Sequence, residues 1–298
     1  MKYRFIQAQE SAFEVIDLCA AMEVKRSAFY AWKKATPSAR KQEDEQIKAE
    51  LRVVHQQSKG REGHRPCQHH LRDRGVQCGR DRTLRLMKEL GISGTQQKGF
   101  KPVGTDSNHS YGYSPNLLKE HGKPTHCDEV WVTDTTYLKT SGRWMYLATV
   151  MDLFSRRIIG WSLSERNDTA LILKALEAAV LTRGGSVRGA IHHSDRGSTY
   201  ASHAYQRRLR AHGLKPSMSA KGNCYDNAAM ESFYGRFKCS SIRDRIFDGA
   251  EDLRRHVFDY IEIFYNRFRK HSALGYQAPS VFEENFIPPS GGMKKSIA

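Results

Sequence analysis

Hydrophobic and polar positions recur with two different periods along this chain. Up to about residue 93 the apolar residues return every three to four positions, as in short helices. From residue 126 onward several stretches instead alternate at every second position, as in strands. The segment between them, 94–125, is rich in Gly, Pro and Ser and has no sustained period. The pattern predicts a helical region over 1–93, a linker over 94–125, an α/β region over 126–286 and a tail over 287–298.

The first part of the helical region predicts a short pair of helices. Residues 11–34 contain two helical patterns on either side of a break near residues 24–27. Such a pair has the shape of a helix-turn-helix, or of a plain helical hairpin that packs on another element. Lys25 and Arg26 lie at the break and are candidate contacts to DNA. A polar helix over 41–57 is expected to act as a spacer.

A second pair of helices is predicted over 64–75 and 79–91. Gly75 and Gly91 stand where the two helices should stop, because glycine readily adopts the left-handed conformation of a helix end. The later helix carries a cluster of arginines that forms either a DNA-binding face or an ordinary solvated face. These candidates are Arg80, Arg82 and Arg85.

The α/β region predicts the element order βββαβαβα. Three strands come first, then a helix over 168–185, a short strand, a helix, another short strand and a final helix over 224–238. Strands and helices in this order favour a mixed sheet with helices on its faces.

Two aspartates lie where such a sheet exposes polar groups. Asp134 follows Val130 and Val132 at period two, so it shares a strand face with apolar residues and needs a partner for its charge. Asp195 ends a short strand and is followed by Gly197, a strand-to-loop exit that places side chains at the edge of a sheet. Each of them alone could be an ordinary turn or cap residue.

A third carboxylate lies in the final helix. Met230, Phe233, Tyr234 and Phe237 form the buried stripe of that helix. Glu231 lies just off the edge of this stripe, and Lys238 lies two turns further on, almost in line with Glu231. A solvated surface pair would explain these two residues equally well.

Charge and composition limit the kinds of molecule that the protein is expected to bind. The 298 residues include 48 Lys and Arg against 32 Asp and Glu, a net charge of +16 that favours a polyanion, and nucleic acid before membrane. No apolar run is long enough to span a bilayer, and no signal peptide is recognisable at the start. The six scattered cysteines suit reduced thiols, and their spacing with nearby histidines matches no common zinc module. We therefore expect a cytoplasmic protein that binds nucleic acid, without a membrane partner.

Motifs around the three carboxylates resemble those of a known family. With 231 − 195 − 1 = 35 residues between the second and third carboxylates, the chain resembles the D,D(35)E transposases encoded by the second reading frame of insertion sequences, members of the retroviral-integrase superfamily. The resemblance spans nearly the whole chain, from KYRFI near the start to the late segment 264–283. Its most specific segments are WVTDTTY, HSDRGSTY and SMSAKGNCYDNAAMESF.

The resemblance implies a fold, an activity and a cofactor. It implies an RNase H-like integrase catalytic core preceded by small helical modules, and DNA strand cleavage and strand transfer at the ends of an insertion sequence. It implies that Asp134, Asp195 and Glu231 hold two Mg²⁺ ions, with Mn²⁺ as a substitute. Phosphodiester transfer needs an attacking and a leaving oxygen stabilised on one phosphorus, which two hard cations on carboxylates can do. Lys238 is then expected to contact DNA.

The resemblance also implies partners. These are double-stranded DNA at the element ends and the target, the first-frame protein of the same element joined by frameshifting, and further copies of this chain on DNA. Two departures from the family pattern occur. Thr199 stands where Gln is usual, and residues 62–67 read EGHRPC where a Tyr-Gly-aromatic-Arg-Arg-Ile pattern is usual.

Two rival functions are compatible with the same residues. An RNase H-type nuclease would use the same metals without strand transfer. A non-catalytic DNA-binding regulator would use only the helical modules, and three intact carboxylates speak against it.

Overall fold

A computed structural model of the chain describes residues 1–34, 36–95, 112–185, 187–219, 228–243 and 245–286. The chain forms two compact units, Met1–Glu50 and Leu51–Ala298. Half of the predicted linker, residues 96–111, and all of the tail after residue 286 lie outside the described residues. None of the helices within the described ranges is both long enough and apolar enough to cross a bilayer.

Short helices make up the first unit. α1 (Lys2–Gln9), α2 (Val15–Ala21) and α3 (Arg26–Lys34) precede α4 (Ala39–Gln57), within which the first unit ends. Their small core contains Ile6, Leu18, Cys19 and Phe29. The predicted pair over 11–34 is confirmed as α2 and α3. The pattern did not predict α1, in which Ile6 is the single buried residue.

The second predicted helix pair lies in the second unit. α5 (His64–Asp73) and α6 (Arg80–Glu89) confirm it. Gly75 and Gly91 have φ of 78° and 66°, so both end their helices in the left-handed conformation that favours glycine.

The remaining elements include those of the predicted order, together with four further α-helices, Leu118–His121, Ser198–Ala201, Gly249–Phe258 and Pro279–Asn285. The helices are α7 (Leu118–His121), α8 (Thr169–Thr182), α9 (Ser198–Ala201), α10 (His203–Ala211), α11 (Ala228–Phe237), α12 (Gly249–Phe258) and α13 (Pro279–Asn285). The strands are β1 (Val130–Lys139), β2 (Trp144–Asp152), β3 (Ile158–Ser164), β4 (Ile191–Ser194) and β5 (Lys215–Met218). Helices α11 and α12 are continued by π-helical stretches over Lys238–Ile242 and Asp259–Tyr265.

The five strands form one mixed sheet in the order β3-β2-β1-β4-β5. β1, β2 and β3 pair antiparallel, whereas β1, β4 and β5 run parallel. This topology agrees with the predicted mixed sheet.

Helices cover both faces of the sheet because the apolar side chains of β1 point alternately to one face and to the other. Val130 and Val132 join the core that also contains the α11 stripe, whereas Trp131 joins the core formed with α8 and α10. Gly160 on β3 lets α8 approach closely, since a Cβ there would come within 2.3 Å of the Ala175 carbonyl oxygen. The sheet is thus held between two helical layers.

The unusual segment 62–67 packs against later parts of the second unit. Glu62 is buried and accepts hydrogen bonds from His70 Nε2 at 2.7 Å and from the Lys270 backbone N–H at 2.8 Å. Cys67 is also fully buried. The glutamate that departs from the family pattern therefore has a structural role of its own, linking the start of α5 to the segment after α12.

Candidate active site

Asp134 in the middle of β1 and Asp195 just after β4 come together where the parallel pairing of these two strands ends. The register pairs Val132 on β1 with His193 on β4, so two residues further along each chain the aspartates stand opposite each other. Neighbouring strands lie about 4.8 Å apart. Both side chains are half-buried. The fold thus brings the two aspartates of the sequence motif together as a pair of carboxylates at one edge of the sheet. This is the usual place for ligand groups in such a fold.

Helix α11 brings the third carboxylate to the same edge. Its stripe of Met230, Phe233, Tyr234 and Phe237 is buried against the face of the sheet that carries Val130 and Val132, and Asp134 follows these at period two. The Tyr234 hydroxyl donates to the Asp134 carbonyl oxygen at 2.8 Å and lies 2.8 Å from Thr149 Oγ1. Glu231, one position after Met230, is exposed at the rim of the helix.

The loop after β4 is fixed by its own hydrogen bonds. Asp195 Oδ1 accepts from the backbone N–H of Gly197 at 2.9 Å. A Cβ at Gly197 would lie 3.0 Å from that same oxygen, so the turn leaves little room for a larger residue. Tyr200 is buried, and its hydroxyl lies 3.0 Å from Thr135 Oγ1 on β1. This contact ties the Asp195 loop to the strand that carries Asp134.

Electrostatics confirm that these groups are close. Burial raises the pKa of Asp134 to about 7, and the charges of Asp195 and Glu231 raise it as well. The Thr135 backbone N–H, which donates to Asp134 Oδ1 at 2.7 Å, and the Lys238 ammonium act in the opposite direction. The groups around Asp134 therefore do not fully neutralise the negative charge at this place.

Lys238 lies on the same side of the molecule as the carboxylates. It is the first residue of the π-helical stretch, and its Nζ lies 4.4 Å from the centre of the Tyr137 ring on β1. Burial lowers the pKa of Lys238, while the charge of Asp134 raises it. The predicted lysine and the predicted aspartate thus act on each other directly.

The three carboxylates do not form one tight cluster. Within the described ranges, a single set of three potential ligands has donor atoms all within 4.8 Å of one another, namely Cys127, Asp152 and Glu283. That set already holds a cation, because Arg183 reaches Glu283 at 2.6 Å and Asp152 at 3.6 Å. Burial also raises the pKa of the Cys127 thiol to about 12, so it stays protonated and is a poor ligand. We assign no metal to this set.

The other candidate DNA contacts lie elsewhere. Arg80 and Arg85 on α6 pair with carboxylates of their own helix, Asp81 at 3.0 Å and Glu89 at 2.5 Å. Lys25 and Arg26 are exposed in the first unit. A role in DNA binding stays a prediction for these residues and for Arg82.

Sequence reasoning missed the tyrosines that hold the site together. Tyr234 counted only as part of an apolar stripe, yet its hydroxyl binds β1 beside Asp134. Tyr200 ends the HSDRGSTY motif, and Tyr137 follows Asp134 by three positions. A buried tyrosine needs a hydrogen-bond partner, and this was the available signal for Tyr200 and Tyr234.

Comparison with known families covers two parts of the chain, residues 41–100 and 124–279. Two descriptions of an integrase core domain match residues 124–224 and 212–279. An HTH-like domain matches residues 41–100, a range that begins in α4 and includes α5 and α6. The sequence pattern alone had placed the helix-turn-helix shape at 11–34 and taken 41–57 for a spacer.

Curated relatives are similar over their full length. A 31 kDa protein of insertion element IS600 from Shigella sonnei is 42% identical over 90% of this chain and 98% of its own length. The InsF transposase of insertion sequence IS3A from Escherichia coli is 37% identical over 95% of this chain and 98% of its own. Among solved structures, the simian T-cell lymphotropic virus intasome has 13% identity, a TM-score of 0.45, and coverage of 79% of this chain and 76% of its own.

The identity to the relatives, the matched domains and the sheet with its carboxylates agree with one another. The chain belongs to the transposases of IS3-type insertion sequences, with an integrase-type DDE core of RNase H-like fold and an HTH-like domain.

Proposed function

We propose that Asp134, Asp195 and Glu231 are the catalytic residues of this transposase and bind two divalent cations, Mg²⁺ or in its place Mn²⁺. The observation that supports the proposal is the pairing of β1 with β4, which brings Asp195 near Asp134, together with the effect of the Asp195 and Glu231 charges on Asp134. The proposed reaction is cleavage of one DNA strand at each end of the insertion sequence and transfer of that end to a target.

The donor set suits such ions. Hard divalent cations prefer carboxylate oxygens. Burial raises the pKa of Asp134, and the charges of Asp195 and Glu231 raise it further; bound cations would neutralise these charges. Ligands shared between two ions about 3.5 to 4 Å apart need not all lie within 4.8 Å of one another, so the spread of the three carboxylates fits two ions better than one.

Each part of the site has a separate task in this proposal. The bound ions would stabilise the attacking and leaving oxygens of the scissile phosphate. Asp134 and Asp195 would hold them from the rigid edge of the sheet, and Glu231 from α11. Tyr234 and Tyr200 fix the backbones of β1, α11 and the Asp195 loop, so that the three ligands keep their spacing. Lys238 would place its ammonium against a nearby DNA phosphate.

The partners follow from this activity. Double-stranded DNA at the element ends and at the target is the proposed substrate. Joining to a first-frame protein by frameshifting, assembly of several copies on DNA, and a cytoplasmic location stay predictions.

Variants of the three carboxylates test the proposal. We expect Asp134→Asn, Asp195→Asn and Glu231→Gln each to reduce cleavage of a labelled duplex bearing an element end by at least about a hundredfold, because each removes a ligand charge. DNA binding should remain, since phosphate contacts elsewhere supply most of the affinity. Glu165→Gln, which alters an exposed carboxylate paired with Arg143, is the matched control and should cleave normally. Wild-type cleavage by any of the three variants would refute the assignment.

A further inference from the structure

Two adjoining cavities lie on the side of α11 away from the carboxylates. Their volumes are about 250 and 240 Å³, and both are lined by Arg236 and Arg269. Ser232 and Arg236 lie about 100° and 140° around the helix from Glu231, at about 100° per residue. The cavities are therefore not part of the site described above.

The walls of these cavities are strongly basic. Six basic residues and one acidic residue, Glu62, line them. The basic residues are Arg61, Arg65, Arg156, Arg236, Arg269 and Lys270. Glu62 is already bound to His70 and to the Lys270 backbone.

Two of the six cations are neutralised by carboxylates within the protein. Arg61 lies 3.5 Å from Asp259, and Lys270 pairs with Asp73. The other four, Arg65, Arg156, Arg236 and Arg269, form no ion pair with any residue in the described part of the chain. We call Arg156, Arg236 and Arg269, which converge on His271, the arginine groove.

The arginine groove concentrates positive charge at a partly desolvated place. Burial lowers the pKa of His271 to about 3, and the charges of Arg269, Arg156 and Arg236 lower it further, so all three guanidinium groups are near this ring. Burial also lowers the pKa of Arg156 and of Arg236, and Arg269 adds to the effect on Arg236. Gathering three like charges in this way costs free energy unless an anion joins them.

Packing alone does not explain the three arginines. Arg269 stacks over Tyr265, with its Cζ 5.3 Å from the ring centre, and a cation–π contact accounts for that position. Arg156 and Arg236 have no such ring contact within the described residues. Arg156 also has φ of 61°, a left-handed conformation that is unfavourable for a residue with a Cβ. The turn between β2 and β3 holds this strained residue at the cavity, where the charge of Asp152 acts on it without forming an ion pair.

We propose that the arginine groove binds a backbone phosphate of DNA on the side of α11 opposite the three carboxylates. Guanidinium groups bind phosphate oxygens in pairs, and three of them around one opening match a phosphodiester, whose charge is shared between two oxygens. Contacts of this kind position DNA without reading its sequence. The proposal rests on the proposed function for its ligand, and it adds a second point at which the transposase holds DNA.

The salt dependence of DNA binding tests this proposal. The double variant Arg156→Gln with Arg236→Gln would be made in the Asp195→Asn background, so that binding is measured without cleavage. Fluorescence anisotropy with a labelled 30-base-pair duplex would give the binding constant at several salt concentrations. We expect the slope of log K against log salt to fall by about 1, since the one phosphate contact contributes about 0.9, and affinity to fall about tenfold. The matching Lys double variant should recover most of the slope because it keeps the charge.

A matched control separates the arginine groove from net charge. Arg208→Gln with Arg254→Gln removes the same charge from exposed arginines that pair with Glu177 and Glu251. We expect this control to keep the slope of its Asp195→Asn parent. An unchanged slope in the groove variant, or equal losses in groove and control variants, would overturn the proposal. The proposal would also be overturned if inorganic phosphate raised the melting temperature of the Asp195→Asn parent but not that of the groove variant, while the slope for DNA was the same in both. The groove would then bind an inorganic ion only. Failure of the carboxylate variants to lose cleavage would instead refute the proposed catalytic residues and leave this binding result standing.

Discussion

At the residue scale, Asp134 lies in an environment unlike that of an ordinary aspartate. Burial raises its pKa to about 7, and the charges of two further carboxylates, Asp195 and Glu231, raise it as well. An isolated strand pattern shows that such an aspartate needs a partner. It cannot show which distant residues will be that partner, because β4 and α11 reach Asp134 only through the fold.

The raised pKa of Asp134 predicts how the stability of the metal-free protein depends on pH. The folded state holds this proton more tightly than the unfolded state, whose pKa is near 3.8. Stability is therefore lost as pH rises from about 4 to about 7, and stays low above that. Asp134→Asn has no proton to lose, so it should raise the free energy of unfolding at pH 8 by about 1 to 3 kcal/mol, since one pKa unit corresponds to about 1.4 kcal/mol.

Chemical denaturation at pH 4 and pH 8 without divalent ions measures this difference. The wild type and the Asn variant should differ at pH 8 and converge at pH 4. Asp248→Asn, which changes an exposed aspartate outside the site, serves as the control and should have little effect. A wild type that is more stable than Asp134→Asn at pH 8 would show that the carboxylate is not under electrostatic strain.

At the element scale, the hydrophobic pattern predicts the helices and strands better than it predicts the contacts that join them. The βββαβαβα order and the glycine ends of α5 and α6 were predicted, because they depend on local periodicity. The helix α1 was not, since one buried residue in eight gives no stripe. Long-range ion pairs were not predicted either, and the most extensive of them joins α13 to the sheet.

Glu283 on α13 lies at the centre of this ion-pair network. It accepts from Arg183 Nη2 at 2.6 Å, from Arg157 Nη1 at 2.7 Å and from Ser155 Oγ at 2.5 Å. Burial alone would raise the pKa of Glu283, but these donors outweigh burial and hold the pKa below its ordinary value. The late segment of the chain is thus fastened to the turn between β2 and β3 and to the end of α8.

Glu283→Gln should destabilise the protein because it leaves two half-buried arginines short of a carboxylate. We expect a loss of about 2 to 4 kcal/mol at pH 7. A depressed pKa contributes stability above the unfolded pKa and loses it as pH falls through the folded value, so the difference should shrink below about pH 4. Urea unfolding across this pH range measures it, with Glu251→Gln on the surface as control. Equal stability of variant and wild type at pH 7 would mean that Asp128 and Asp152 alone balance Arg183.

At the scale of the whole molecule, the site depends on residues that are far apart in sequence. Asp134 and Asp195 meet through a parallel pairing of β1 with β4, and Glu231 joins them from a helix that is buried against the same sheet. The spacing motif predicted all three, because the resemblance to a family carries long-range information that local periodicity lacks. It did not predict the arginine groove behind α11, whose three residues come from three separate segments and share no motif.

The central claim is that the carboxylates of this fold hold divalent cations for strand cleavage, and metal-specific rescue tests it most directly. Asp195→Cys replaces a hard oxygen ligand with a soft sulfur ligand. We expect this variant to cleave an element-end duplex poorly in Mg²⁺ and to recover in Mn²⁺ or Cd²⁺, whereas Asp195→Asn stays inactive with every ion. Cleavage by the Cys variant at the wild-type rate in Mg²⁺, or equal behaviour of the Cys and Asn variants with all three ions, would contradict the account.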